Sequence, residues 1–159
     1  MPNYCYNKLT IECTEQDKSK KNFNDFIETN LISYKDKNTK ELTFNGLAAK
    51  PDNYIPDKNL RKKYDKNDPN WYIWNNENWG TKWNAITNNI KIEKNKIVIF
   101  YETAWTPATK WMNIVAKTYK YLNFKFFGYD EQGLFDCKGH VVNHKWNWKV
   151  NEPSKLFDK

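Results

Sequence analysis

Two histidines lie four positions apart near the end of the chain, at His140 and His144. On one extended strand, residues at that spacing point to the same side, so this pair could act as the general acid and base of an RNA-cleaving site. Val142, Trp146 and Trp148 would share that side, and such apolar neighbours are more typical of a core. No third ligand at a suitable spacing accompanies the histidines, so we expect neither a metal nor a cofactor.

Other features that would indicate an enzyme are weak. The chain has five glycines, and it contains neither a Gly-rich phosphate loop nor a nucleophile motif. Asp130 and Glu131 are adjacent carboxylates, but their sequence context predicts a solvated turn rather than an acid/base pair. The three cysteines are an odd number without metal-binding spacing, which favours reduced and buried thiols. We therefore expect a protein that binds rather than catalyses.

Six of the eight tryptophans fall between residues 71 and 111. Within this stretch, the segment ENWGTKW at residues 77–83 is the strongest candidate site, because two indoles flank a glycine and a lysine lies beside them. Such a group could hold a nucleobase, a nucleotide or a peptide of a partner. The alternative is that the indoles fill the gap between a long loop and a sheet. The candidate residues of this region are Glu77, Asn78, Trp79, Lys82, Trp83 and Trp105.

The basic residues are unevenly distributed along the chain. The formal net charge is +7, and of the 26 basic residues only Arg61 is an arginine. Lysine supplies point charge without the planar fork that arginine offers to phosphate or guanine. No Asp or Glu occurs at residues 103–129 or 137–151. These two acid-free segments contain the basic candidate residues Lys110, Lys117, Lys120, Lys145 and Lys149.

Residues 4–13 alternate between apolar and polar side chains, which predicts a strand with one buried side. Leu9 and Ile11 would face the core, while Tyr4 and Tyr6 would point to the opposite side of the sheet. RNA-recognition folds stack bases on aromatic residues of an open sheet face. Tyr4 and Tyr6 are therefore a second candidate site, although the glycine- and aromatic-rich strand motif of those folds is missing.

Two amphipathic helices are predicted. The first would begin at Thr14 and Asp17 and continue for roughly 16 residues, because apolar side chains follow at helical spacing. The second would begin with Thr106 as the capping hydroxyl and Pro107 at the first helical position. Its buried stripe would include Trp111, and its outer face carries only positive charge.

The rest of the chain divides into shorter predicted elements. Residues 50–70 are polar and proline-containing, which indicates a long loop with at most one helical turn. The other predictions are a short strand at residues 42–48, a helical segment at 71–83 that ends at Gly80, a hairpin at 90–102, a strand at 123–129 and one last strand at 139–150.

Length and composition indicate one globular domain over residues 1–159. The aromatic fraction of 17% argues against disorder, and no apolar run is long enough to cross a membrane. No secretory signal is evident at the N-terminus, so we expect a cytoplasmic protein. The element order predicts an α+β fold of ferredoxin-like type, in which an antiparallel sheet carries two helices on one face. A long Trp-rich insertion at about 49–84 would interrupt this fold.

Three segments together resemble the YubB-like ferredoxin-fold family of bacterial plasmid and phage proteins. They are MPNYCYNKLT at residues 1–10, ENWGTKW at 77–83, and TAWTP at 103–107 with Trp111 beyond it. The resemblance covers residues 1 to about 125, whereas the basic stretch at 139–150 departs from the acidic, glycine-containing strand of that family. It implies a ferredoxin-like fold and a mobile-element origin, and it implies no catalytic residues.

Three functional hypotheses follow. The first is a non-catalytic phage or plasmid protein that inhibits or modulates a host nucleic-acid-handling immune effector, such as a CRISPR nuclease, by protein–protein contact. The alternative is direct binding of single-stranded nucleic acid or of a nucleotide, with lysines on phosphates and rings stacked on bases. The third is a ribonuclease that depends on His140 and His144. The expected partner is thus a host protein or a nucleic acid, in the cytoplasm of a bacterial host.

Overall fold

The computed structural model describes residues 3–33 and 39–152 of the 159-residue chain. In chain order the elements are β1 (Tyr4–Glu12), α1 (Asp17–Asn30), β2 (Leu31–Ser33), β3 (Lys40–Leu42), α2 (Asn45–Ala48), α3 (Lys58–Lys63), α4 (Asn70–Asn78), β4 (Ile86–Ile92), β5 (Lys96–Ala104), α5 (Thr109–Thr118), β6 (Asn123–Asp130), β7 (Asp136–Val142) and β8 (Lys145–Asn151). No helix among the described residues is long and apolar enough to span a membrane.

The main sheet has six strands in the order β4-β5-β1-β6-β7-β8, and every neighbouring pair is antiparallel. The ferredoxin-like pattern is formed by β1, α1, β4, β5, α5 and β6. The helical connections lie on one face of the sheet and bring β1 between β5 and β6. The β7–β8 hairpin extends that sheet beyond β6. The predicted α+β, ferredoxin-like fold is confirmed.

The core lies between one face of the sheet and the two long helices. Leu9 is fully buried and pairs with Ile99 of β5 and Phe126 of β6. Phe26 of α1 and Trp111 of α5 belong to the same buried cluster and have no exposed surface. Burying an apolar side chain of this size stabilises the fold by roughly 1.5–3 kcal/mol. The predicted core side of β1 is thus correct.

One polar side chain interrupts the buried side of β1. Asn7 is 4% exposed, and its amide group lies within hydrogen-bond distance of the Cys5 carbonyl at 3.0 Å, the Tyr101 carbonyl at 3.2 Å and the Thr103 hydroxyl at 3.0 Å. A buried amide without partners would cost roughly 1–3 kcal/mol. These contacts to β1 and β5 explain how the sheet tolerates asparagine at a core position.

Both helices begin later than their sequences predict. α1 begins at Asp17 without a side-chain cap, and the amide of Thr14 donates to the hydroxyl of Ser19 at 2.9 Å. α5 begins at Thr109, because the Thr106 hydroxyl donates to the Gly80 carbonyl at 2.9 Å instead of capping the helix. The predicted capping role of Thr106 is therefore wrong, since a tertiary acceptor takes its hydroxyl.

The predicted strand at 42–48 is wrong except at Leu42. β3 ends at Leu42, and the helical turn α2 follows at Asn45–Ala48. β3 pairs with β2 in a small second sheet that the sequence did not predict. α2 packs close to α1, and a Cβ added at Gly46 would lie 1.9 Å from the carbonyl oxygen of Thr29. Glycine is therefore required at that helix contact.

The polar stretch at 50–70 contains one short helix, α3, and the predicted helical segment at 71–83 is present as α4, which ends at Asn78. Asp57 caps α3 by accepting a hydrogen bond from the Leu60 amide at 2.8 Å. Arg61, the single arginine, donates to the Asp68 carbonyl at 2.5 Å and to the side-chain oxygen of Asn70 at 2.6 Å. These contacts join α3 to the start of α4. Arginine therefore has a structural role here, beside the turn that leads into α4.

The end of the chain forms a hairpin instead of the single predicted strand. Asn143 and His144 connect β7 to β8, and their φ angles are 51° and 63°. Two consecutive positive φ values are typical of a type I′ turn, which asparagine tolerates. The alternating pattern continues through this turn, so it resembles one uninterrupted strand. The predicted strand at 139–150 is therefore wrong.

Candidate functional site

The helices leave the other face of the sheet open. None of the outward positions of β1, β6 and β7 is buried. An aromatic cluster lies near the centre of this open face, where the Tyr6 and Tyr129 ring centroids are 5.2 Å apart and those of Phe127 and Tyr129 are 5.9 Å apart. Tyr129 is 45% exposed and Phe127 is 36% exposed. Exposed aromatic rings beside one another form a surface on which planar ligands can stack.

Lysines surround these rings. The Lys8 ammonium lies 5.8 Å from the Phe100 ring centroid, in cation–π range. Lys138 of β7 pairs directly with Lys149 of β8. Like charges on directly opposed strand positions are destabilising. Among the described residues, neither ammonium has a carboxylate within 4 Å. An anion shared by the two lysines would relieve this repulsion.

The strand register assigns further charged residues to the open face. Its other lysines are Lys91, Lys96, Lys125 and Lys145, and its acidic side chains include Glu12, Glu102 and Asp136. β6, β7 and β8 contribute Lys125, Lys138, Lys145 and Lys149 to the open face, against the carboxylate of Asp136, so the β6–β8 side is the more basic side. Lys145 and Lys149, two of the predicted basic residues, belong to this surface.

A hollow of about 640 Å³ lies on the same face, between β4 and β6. Rings of Tyr6, Phe100 and Phe127 line it together with the polar side chains of Lys8 and Asn89. Its volume is within the usual range of small-ligand pockets. The hollow therefore combines flat apolar walls with positive charge.

The two predicted tyrosines differ in their surroundings. Tyr6 lies within the aromatic cluster, and its pKa is raised, first by desolvation among neighbouring side chains and then by the carboxylate of Glu102. The phenol therefore stays protonated at neutral pH and can donate a hydrogen bond. Tyr4 is half-buried at the end of β1, where its amide donates to the Glu131 carboxylate at 3.0 Å.

The Trp-rich segment divides into a core part and an exposed part. Trp79 is 5% exposed, and its indole N–H donates to the Ala48 carbonyl at 2.8 Å. Its role is therefore structural. The Lys82 ammonium lies among three rings, at 5.8 Å from Tyr72, 5.2 Å from Trp83 and 5.5 Å from Trp105. The predicted contact between Lys82 and aromatic faces is thus present. The lysine side chain itself occupies the space between the rings of Tyr72, Trp83 and Trp105.

Trp105 has an unusual backbone conformation. Its φ is 65°, a left-handed value that is uncommon for a bulky residue, and its side chain is 42% exposed. The Trp105 amide donates to the Asn3 carbonyl at 2.8 Å, and the Thr103 hydroxyl donates to the Thr106 carbonyl at 2.7 Å. These bonds hold the strained residue, so the indole remains beside Lys82.

The other predicted residues of this segment have internal partners. The Glu77 carboxylate accepts hydrogen bonds from the Lys63 ammonium at 2.8 Å and from the Tyr64 hydroxyl at 2.6 Å, and it lies 3.6 Å from the Lys110 ammonium. The Lys63 hydrogen bond is the main cause that lowers the pKa of Glu77. The amide of Asn78 donates to the Trp74 carbonyl within α4. Glu77 therefore joins α4 to Lys63 of α3 and Lys110 of α5, whereas the Asn78 side chain bonds within its own helix.

Lys117 and Lys120 lie elsewhere. Both are exposed on or just after α5, which packs against the opposite side of the sheet from Lys145 and Lys149. Lys117 and Lys120 therefore lie on a different surface from Lys145 and Lys149, and only Lys145 and Lys149 share the open face with the aromatic cluster.

The structure does not assemble the predicted histidine pair. His140 lies on the open face of β7, whereas His144 is in the turn after it. Asp130 also differs from the prediction, because it is 3% exposed and accepts hydrogen bonds from the turn amides of Gln132 and Leu134. Among the described residues, no group of three or more His, Cys, Asp and Glu side chains could hold a metal ion.

The buried cysteines have the properties of core residues. Burial raises the pKa of Cys5 to about 12 and that of Cys137 to about 11. Both thiols are therefore protonated at neutral pH, and a thiol is a much weaker nucleophile than a thiolate.

The sequence contained a signal for the residues that were missed. Residues 123–130 alternate strictly between exposed and buried positions, so Phe127 and Tyr129 share the outward side with Lys125. Aromatic residues in a strand are usually assigned to the core, which is why this side was overlooked.

A model of the ferredoxin-like domain in Api92-like protein matches residues 78–148. The match begins at the end of α4 and extends into β8. It therefore includes β4, β5, β6 and β7 in full, and it does not include β1. This part of the chain is ferredoxin-like. No curated protein and no solved structure matches the chain. The family match therefore gives the fold of the sheet that carries the open face. The function has to be inferred from the side chains on that face.

Proposed function

We propose that this protein binds single-stranded nucleic acid on the open face of its sheet. The observation that carries the proposal is the exposed cluster of Tyr6, Phe127 and Tyr129 beside the opposed lysines Lys138 and Lys149. Stacking on aromatic rings requires unpaired bases, so the expected ligand is a single strand rather than a duplex. Lysines at the β7–β8 side would contact its phosphates.

The stacking contribution can be tested with one pair of variants. Replacing Tyr129 by alanine should weaken binding of a fluorescent 12-nucleotide oligocytidine by at least roughly fivefold, because one base stack contributes about 1–3 kcal/mol. Tyr121→Ala is the matched control, since Tyr121 is 49% exposed, similar to the 45% of Tyr129, but follows α5 on the helical side. Fluorescence anisotropy at low salt gives both affinities. Equal affinities for the two variants would contradict stacking on this face.

The phosphate contribution is tested by salt dependence. Lys138→Gln with Lys149→Gln should reduce the slope of log affinity against log salt concentration by about 1.4, because each phosphate contact on a single strand contributes roughly 0.7. The control is Lys117→Gln with Lys120→Gln, which removes the same charge from the exposed surface of α5. If the control reduces the slope as much as the test variant, the open face is not the phosphate-binding surface.

A second candidate function is contact with an acidic protein surface through α5. Its support is the exposed pair Lys117 and Lys120 in a segment without Asp or Glu. Together with the resemblance to YubB-like proteins, it supports the proposal of a phage or plasmid protein that modulates a host immune effector. Immobilised protein should then retain a stoichiometric bacterial protein that Lys117→Glu with Lys120→Glu loses and Lys138→Glu with Lys149→Glu keeps. Retention by the α5 variant would contradict this second function.

A further inference from the structure

A β-bulge in β4 brings two consecutive asparagines to the same face. Thr87 pairs with Tyr101 of β5 and Asn89 pairs with Phe100, so Asn88 is an extra residue between them. In a regular strand, Asn88 and Asn89 would point to opposite faces. The bulge removes that alternation, and bulges are frequent beside functional sites because they re-aim side chains.

The side-chain contacts confirm which face this is. The Asn88 amide group donates to the Glu102 carboxylate at 3.3 Å, and Glu102 pairs with Tyr6 on the open face. Asn89 is directly opposite Phe100, whose ring lines the hollow on that face. Both asparagines also line the hollow, and both are exposed.

The orientation of Asn88 follows from its partner. An ionised carboxylate only accepts hydrogen bonds, so the Asn88 NH₂ group must face Glu102. The Asn88 carbonyl oxygen then points away from Glu102 as an acceptor, and it has no donor among the described residues. Glu102 does not itself line the hollow, so its role is to orient Asn88. Asn88 therefore presents a hydrogen-bond acceptor at this edge of the hollow.

We infer that this hollow holds one unpaired base and reads its exocyclic amino group, so that cytosine and adenine are preferred over uracil. The inference rests on the proposed binding of single-stranded nucleic acid. The base would stack on the rings of Phe100 and Phe127, and Lys8 and Lys91 at the rim would contact its phosphates. The bulge supplies the polar edge that stacking surfaces without base preference lack.

The preference follows from the pattern of donors and acceptors on the bases. Cytosine presents an amino donor at N4, where uracil, like thymine, presents the O4 carbonyl acceptor. The N4 amino group can donate to the Asn88 carbonyl oxygen, whereas O4 would face that oxygen without a proton between them. Cytosine and uracil have the same ring size, so they stack similarly and differ in their hydrogen-bonding groups at positions 3 and 4.

The test compares fluorescent 12-nucleotide oligocytidine and oligouridine at pH 7.5 and low salt. Wild-type protein should bind oligocytidine about fivefold more tightly, the discrimination expected of roughly one hydrogen bond. Asn88→Ala with Asn89→Ala should bring this ratio close to one, chiefly through weaker binding of oligocytidine. Asn147→Ala is the control, because Asn147 is an exposed asparagine on the same face of the sheet, opposite His140.

The outcomes separate this inference from the proposed function. If both oligonucleotides bind, depend on Tyr129 and show the same ratio in wild type and in the double variant, the base-reading pocket is wrong and the binding face remains. If the Asn147 variant also loses the preference, the selectivity does not arise from the bulge. If wild-type protein binds neither oligonucleotide at low salt, both the function and the pocket are wrong.

Discussion

Replacing Trp111 with phenylalanine separates the cost of removing ring atoms from the cost of breaking a hydrogen bond. These two effects usually occur together when a buried tryptophan is replaced. Trp111 is fully buried, and its ring centroid lies 4.8 Å from that of Phe44. Its indole N–H is buried without a hydrogen-bond acceptor among the described residues. By contrast, the indoles of Trp79 and Trp146 donate to the carbonyls of Ala48 and Met112, each at 2.8 Å.

The expected magnitudes differ for this reason. Trp111→Ala should cost about 3–5 kcal/mol, because the large cavity cannot close. Exchange for phenylalanine removes the same atoms at Trp111, Trp79 and Trp146. At Trp79 and Trp146 it also breaks a hydrogen bond, which costs roughly 1 kcal/mol more, and at Trp79 it leaves the Ala48 carbonyl without the indole donor. At Trp111 it removes an unpaired donor, so this exchange should be the least destabilising of the three by at least about 1 kcal/mol.

Urea unfolding followed by far-UV circular dichroism measures these free energies. A shift of the midpoint with a constant slope reports a change in stability. The reasoning is refuted if Trp111→Phe costs as much as Trp79→Phe and Trp146→Phe, because the unpaired indole would then carry no penalty. Trp111→Ala serves as the control, since it must be the most destabilising exchange at that position.

Two further predictions concern backbone space and pH. Gly46→Ala should cost more than 2 kcal/mol in urea unfolding, because its Cβ would lie 1.9 Å from the Thr29 carbonyl oxygen. The control Gly133→Ala should cost only about 1–2 kcal/mol, because Gly133 has a φ of 72° and no atom within 4 Å of the added Cβ. Equal costs would contradict the close contact at Gly46. Because Lys63 lowers the pKa of Glu77 in the folded state, Glu77 stabilises the protein above its unfolded pKa near 4.3, and this contribution disappears as the pH falls further. The stability difference between wild type and Glu77→Gln should therefore be largest at neutral pH and shrink below about pH 4; a constant difference from pH 7 to 3 would contradict this ion pair.

Local patterns predicted the fold where each residue's role depended on its neighbours in sequence. The alternation of residues 4–13 placed Leu9 and Ile11 in the core correctly, because a strand has a fixed period of two. Predictions failed where a distant group decided the outcome. Thr106 has the sequence of a helix cap, but Gly80, which is 26 positions away, accepts its hydrogen bond.

The candidate site was predictable only in part for the same reason. Tyr6 was assigned to the open face from β1 alone, whereas its partner Tyr129 lies on a strand 123 positions later in the chain. No sequence pattern predicted that Asn88 would face the open side of the sheet, since a bulge can be recognised only when the pairing of β4 with β5 is known. The turn at Asn143 and His144 lacks the glycine that usually marks such turns, so the reversal that brings Lys149 opposite Lys138 was also hidden.

The most direct test of the open face as a nucleic-acid surface is a titration of ¹⁵N-labelled protein with the 12-nucleotide oligocytidine, monitored by two-dimensional NMR. Binding on this face predicts progressive shifts of the amides of Lys8, Phe127 and Tyr129, which lie on β1 and β6, and unchanged amides at Lys117 and Lys120. Raising the salt concentration should reverse the shifts, because phosphate contacts weaken with salt. Shifts confined to α5, or no shifts at low salt, would contradict the central claim.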